Sequence, residues 1–252
     1  MNLEPSHFEY LLRLADNALI LGQRQSEWCG HGPVLEQDIA LTNIALDQIG
    51  QARMLLAYAG KVEGKGRTED ALAFLRDAGE FRNLLLVEQP NEDWGYTILR
   101  QFFFDAFNFF LYQELCDSAD AELAVIAQKA IKEITYHLRF SSEWVIRLGD
   151  GTGLSHRKMQ EAVSDLWMYT GEMFLPDAID EWAKDAGIGP SLQAIHVQWN
   201  ARVREIFKEA TLELPESGWM QQGGKQGIHT EHLGYILADM QFLQRAYPGL
   251  EW

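Results

Sequence analysis

Apolar residues recur every three to four positions along most of the chain, the signature of helices that bury one face. The stretch 34–59, VLEQDIALTNIALDQIGQARMLLAYA, shows this most clearly. Leu41, Ala45, Gln48, Ala52 and Leu55 share one side, with Ile44 and Gln51 beside them. Upstream, Leu11, Leu12, Ala15, Leu19 and Gly22 predict a helix from Ser6 to about Arg24, with Pro5 and Ser6 suited to its entrance. The two glycines and proline of SEWCGHGPV predict a loop between these helices, and Gly60 a cap at the end of the second. Ala71, Phe74, Leu75, Ala78, Phe81 and Leu85 predict a shorter helix over about 70–87, weakened by Gly79 and stopped before Pro90.

The same period continues downstream. From Trp94 to Cys116, Ile98, Phe102, Phe109 and Tyr112 form a stripe with Asp105 inside it. Phenylalanines at 102, 103, 104, 107, 109 and 110 cover more than one face, so this helix belongs among neighbours or under a partner. Ile126, Ala130, Ile134, His137 and Trp144 mark a long helix over 121–148 that the glycines of GDGTG terminate. Further helices follow Ser155, lie within DAIDEWAKDA, and span 191–209 and 230–246, with LELPESGWMQQGGKQGIHTEH irregular between the last two. The expectation is an all-α chain: a four-helix bundle drawn from about 6–148, with peripheral and C-terminal helices over about 155–246, in one extended domain of 1–252.

Composition narrows the function. Hydrophobic residues make up 47% and charged residues 23%, as in ordinary globular proteins. The 21 basic and 37 acidic residues leave a formal charge of -16, which opposes binding to nucleic acid or an anionic membrane and favours a basic partner. Two cysteines, Cys29 and Cys116, are too few for a disulfide framework. With no export signal in MNLEPSHFEYLLRLADN and only short apolar runs in QFFFDAFNFFLYQ and LLLVEQ, the expected setting is the cytoplasm.

A carboxylate-bridged metal pair needs anionic oxygens and about one imidazole per metal from inward positions on four helices. The inward candidates here are Asp16, the pair Gln48 and Gln51, Asp105, and Ile134 with His137. Two amides and an isoleucine occupy positions that need charge and imidazole nitrogen. The expectation is therefore no metal and no catalytic residue in this chain, with Asp105 in a structural hydrogen-bond network. Glu133 lies four residues before His137, about 100 degrees of helix rotation away from the three-residue spacing of Glu-x-x-His. The GIHTEH run, with His229, Glu231 and His232, lacks His-Glu-x-x-His and is expected to be a polar cap or interface. Ser155 beside His156 defines no activated nucleophile, and GGKQG lacks the phosphate-loop pattern.

Two long runs are more specific than any of these fragments: EWCGHGPVLEQDIALTNIALDQIGQAR and GKQGIHTEHLGYILADMQFLQRAYPG. They resemble the C subunits of bacterial phenylacetyl-CoA epoxidases, the ring-hydroxylating phenylacetyl-CoA monooxygenases of aerobic phenylacetate degradation, and the likeness extends over nearly the whole chain. The resemblance implies a ferritin-like fold and a structural subunit that pairs with a homologous catalytic A subunit and the other subunits of the complex. It places the di-iron centre in that partner and the flavin and iron-sulfur electron supply in a reductase component. It also implies that Asp16, Gln48, Gln51, Asp105, Ile134 and His137 are degenerate metal-site positions and not ligands. Two other classes stay open at this point: an independent helical metalloenzyme using Glu133, His137 or the 229–232 region, and an unrelated helical binding protein.

Overall fold

The computed structural model describes residues 3–216 and 218–250, and every regular element among them is helical. In chain order the α-helices are α1 (Leu3–Ser26), α2 (Leu35–Glu63), α3 (Glu69–Phe74), α4 (Trp94–Leu115), α5 (Ala121–Gly149), α6 (Gly153–Leu166), α7 (Ala178–Asp185), α8 (Leu192–Glu209) and α9 (Glu231–Ala246). This is the helix inventory of a ferritin-like bundle, four long helices in two sequential hairpins, supplemented by shorter ones. The chain forms two compact units, residues 3–88 with 223–250, and residues 89–222.

In the first unit α1 and α2 pack along their length as an antiparallel hairpin. Leu11, Ile20, Leu21, Leu41, Ile44 and Leu55 are wholly buried between and around them, each such side chain stabilising the fold by about 1.5–3 kcal/mol. Gly22 sets the register: a Cβ there would lie 3.2 Å from Ile49 and 3.3 Å from Gln48. The expected cap at Gly60 is not one. The helix runs on to Glu63, and Gly64 takes the left-handed conformation with φ 70°. Gly60 is small for another reason, since a Cβ would collide with the carbonyl oxygen of Arg67.

The predicted helix over 70–87 is only partly formed. After α3 the backbone passes through a 3-10 turn at Ala78–Glu80 and then runs irregularly, with Phe81, Leu84, Leu85, Leu86 and Val87 buried. Side-chain oxygens of α1 accept the backbone hydrogen bonds that helical carbonyls would otherwise accept. The Arg82 N–H donates to Asp16 Oδ2 at 2.8 Å, and the Leu84 N–H to Asn17 Oδ1 at 2.8 Å. Backbone donors met in this way need no helix. The C-terminal helix α9 packs on α3 and α1 in the same unit.

The second unit is built on the α4–α5 hairpin, with α6 and α8 against it. Asp93 caps α4 by accepting from the Tyr96 N–H, and Asp120 caps α5. The phenylalanine-rich α4 is enclosed as expected: Phe102, Phe103, Phe104 and Phe107 are buried. Phe103, Trp199, Phe174 and Phe207 form an aromatic cluster, and Trp199 Nε1 donates to the Phe103 carbonyl at 2.9 Å. Trp199 is thus a core residue. At α6 the cap is Thr152, with Ser155 closing the capping box from inside the helix.

Candidate functional site

Helical periodicity brings all six singled-out side chains inward. Asp16, Gln48, Gln51, Asp105, Ile134 and His137 are each at most 3% exposed. Burial makes the partner of every polar atom decisive, because an unmet charge or dipole there is costly.

In the first unit the α1–α2 register places Gly22 against Gln48, so Asp16 lies six residues along α1 from that level, about 9 Å on a helical rise. Its carboxylate is fully engaged elsewhere. Arg76 reaches both oxygens, with Nη1 donating to Oδ2 at 2.9 Å and Nη2 to Oδ1, and the Arg82 N–H takes Oδ2 as well. Arg76 is itself buried, stacked 4.2 Å over the Phe81 ring and donating to the Leu72 and Glu80 carbonyls. Gln48 keeps a buried Oε1 without a partner, a neutral oxygen that brings none of the charge a metal pair requires.

In the second unit Asp105 and His137 share a polar pocket with Gln101 and Ser141. Gln101 Nε2 donates to Asp105 Oδ1 at 2.6 Å and Ser141 Oγ to Oδ2 at 2.8 Å. Burial raises the Asp105 carboxyl to about 6, against the opposing charge of His137 and the two hydrogen bonds. Ile134 contributes hydrocarbon at the third inward position. Among the described residues no three His, Cys, Asp or Glu side chains converge in a metal-binding group. The residues present therefore do not fit a carboxylate-bridged metal pair.

The Asp105 environment has a measurable cost. Above the unfolded carboxylate value the folded protein must ionise a buried group, so the Asp105 penalty grows as pH rises from about 4 and is complete above about 6. Asp105→Asn is expected to stabilise the protein by about 1–3 kcal/mol at neutral pH and hardly at all near pH 4. Urea unfolding of both proteins across that range tests it, and a gain independent of pH would count against the assignment.

A second buried charge cluster lies in the first unit, around a residue that the hydrophobic pattern does not single out. Glu88 is wholly buried, its Oε1 accepting from the Thr230 N–H and hydroxyl at 2.7 Å each and its Oε2 from Asn83 Nδ2 at 2.9 Å. His229 places Nδ1 2.9 Å from Oε2 and Nε2 3.1 Å from the Phe81 carbonyl. Both ring nitrogens thus face acceptors, the arrangement an imidazolium satisfies. Burial opposes its charge, but the hydrogen bond and charge of Glu88 and the Phe81 carbonyl outweigh burial and raise the His229 pKa. His229 and Thr230 fasten the start of α9, while Glu231 is exposed. The signal available in sequence was Glu88 itself, an acid at the end of the apolar run LLLVEQ.

In this geometry the carboxylates of Asp16, Asp105 and Glu88 are taken by arginine, amide, hydroxyl or imidazole partners. Among the described residues, no helix is long and apolar enough to cross a membrane. Comparison with known proteins gives a consistent picture. The chain is 51% identical over 243 residues to the C subunit of the 1,2-phenylacetyl-CoA epoxidase of Escherichia coli strain K12, a match that covers 96% of this chain and 98% of that one. The family described as phenylacetic acid catabolic protein matches residues 2–252, and the chain belongs to that family.

Proposed function

We propose that this chain is a non-catalytic structural subunit that binds and supports the homologous di-iron subunit of a phenylacetyl-CoA epoxidase in aerobic phenylacetate degradation. The observation that carries it is the near-full-length likeness to a C subunit of such an epoxidase, joined to a donor set that does not fit a metal pair. On this reading Asp16, Gln48, Gln51, Asp105, Ile134 and His137 are inherited positions without ligand function. The iron in the catalytic subunit supplies the oxygen chemistry, a reductase with flavin and iron-sulfur groups supplies electrons, and this chain supplies surface and support. Free cysteines at 29 and 116 suit a cytoplasmic setting. The reading also takes 1–252 as one extended domain, which a single cooperative thermal transition supports and two separated transitions oppose.

The surface for that partner is best supported on α2. While Leu41, Ile44, Gln48, Gln51 and Leu55 face inward, Leu35, Ile39 and Leu46 stand outward, Leu35 71% and Leu46 61% exposed. Ile39 and Leu46 are seven residues apart and Leu35 one turn before Ile39, so the three form one stripe. Such a stripe on a helix already buried along its other side suits a second helical surface.

Leu46→Glu and Ile39→Glu are expected to leave the circular dichroism of the isolated chain unchanged and to weaken co-purification with the catalytic subunit by at least ~tenfold, about 1.4 kcal/mol. Undiminished co-purification would move the interface off α2. Stoichiometric iron with phenylacetyl-CoA turnover in the chain alone would sink the functional reading itself.

A further inference from the structure

The last helix carries apolar residues on two sides. Inward, Leu233, Ile236 and Leu237 are buried, and Gln241 Nε2 donates to the carbonyls of Ala73 and Arg76 at 3.0 Å each. Arg245 adds a bond to the Arg76 carbonyl at 2.8 Å. With His229 and Thr230 on Glu88, α9 is fixed from both ends, so its outward face is not a by-product of loose packing. That face presents Tyr235, 65% exposed, and Phe242, 62% exposed, two turns apart, with Ala238 and Ala246 close to the same line and Leu243 at its edge. A helix apolar on both sides belongs between two partners, and among the described residues this chain supplies the inner one only.

The relief beside this stripe suits a helix. A shallow, open groove of about 600 Å³ runs along Gly234, Ala238 and Phe242 of α9, with Asp77 and Ala78 on its other border. Small residues on its floor let another backbone come close, Phe242 stands at its border, and Tyr235 continues the apolar stripe beside it.

Charge selects the occupant. Glu231, Asp239 and Glu80 are exposed around the stripe and groove. The cation lining the groove, Arg245, is already paired with Asp77 at 3.0 Å. A second copy of this chain, itself at -16, would set these acids against their like. We propose that the outer face of α9 is a docking surface for a basic amphipathic helix of a partner protein. The proposal stands on α9 and its rim alone and does not depend on the α2 surface or on the epoxidase reading.

The test uses the full chain and a dye-labelled helical peptide of about five turns, with leucines at i, i+4, i+7 and i+11 flanked by lysines. Its counterpart has glutamate in place of each lysine. Fluorescence anisotropy is expected to show saturable binding of the lysine peptide, weakened at least ~tenfold for the glutamate peptide and for Tyr235→Ser and Phe242→Ser chains. Hydrogen exchange of 231–246 is expected to slow on binding, and both substitutions lie on exposed positions, so the free chains keep their circular dichroism. No saturable binding, equal binding of the two peptides, or binding indifferent to both substitutions would overturn the proposal. Self-association in sedimentation that Phe242→Ser abolishes would overturn it as well, by making a second copy the occupant.

Discussion

Glu88→Ala is expected to lower the unfolding free energy by about 3–5 kcal/mol, the range for removing one partner of a buried, hydrogen-bonded charge pair. The substitution strips acceptors from the Thr230 N–H and hydroxyl, Asn83 Nδ2 and His229 Nδ1 together. It leaves the imidazolium with only the Phe81 carbonyl. A pH signature separates this from simple loss of volume. Because the folded chain holds the His229 proton more tightly than the unfolded chain, the stabilisation is complete below about pH 6.5 and is lost as pH climbs through the raised folded value. Urea unfolding between about pH 6 and 9 should therefore show the wild type losing stability with rising pH and Glu88→Gln losing much less. Parallel pH profiles, or an unchanged midpoint in the alanine variant, would refute the account.

Arg76→Met is expected to cost a similar ~3–5 kcal/mol by stranding the Asp16 carboxylate in the interior. Asp16 is wholly buried and Arg76 2% exposed, so water cannot replace the guanidinium. The loss should not be additive with removal of the acid. Asp16→Leu together with Arg76→Met is expected to recover a large part of it, since the hydrocarbon pair carries no uncompensated charge, although the Arg82 N–H must then find another acceptor. A double variant as unstable as the sum of the singles would show that the two residues act separately.

The long helices are legible because burial imposes its period directly on the sequence: the inward set Leu41, Ala45, Gln48, Ala52 and Leu55 is buried as that period demands. The path after α3 is not legible by the same means. Phe81 and Leu85 keep a helix-compatible spacing, yet the Arg82 and Leu84 amides bond to Asp16 and Asn17, more than sixty residues earlier. Local pattern carries no record of such donors being met at a distance. That Gln48, Gln51 and Ile134 bring neither a carboxylate nor an imidazole was readable because it is a matter of residue type. What Asp16 does instead was not, since its guanidinium partner lies sixty positions away in a stretch whose helical pattern conceals it. The GIHTEH run reads in sequence as a polar cap or interface, whereas its His229 and Thr230 turn to Glu88, 141 residues distant from His229.

That distance bears on how the molecule is made. The first unit is discontinuous, residues 3–88 being completed only by 223–250. At about 5–20 residues per second, the ribosome needs on the order of ten seconds to add the intervening segment. Throughout that interval the nascent chain holds Glu88 without His229 or Thr230, and the Ala73 and Arg76 carbonyls without Gln241. These buried bonds can form only after the C-terminal helix has been made, so the N-terminal hairpin depends on the last part of the chain to complete its polar interior.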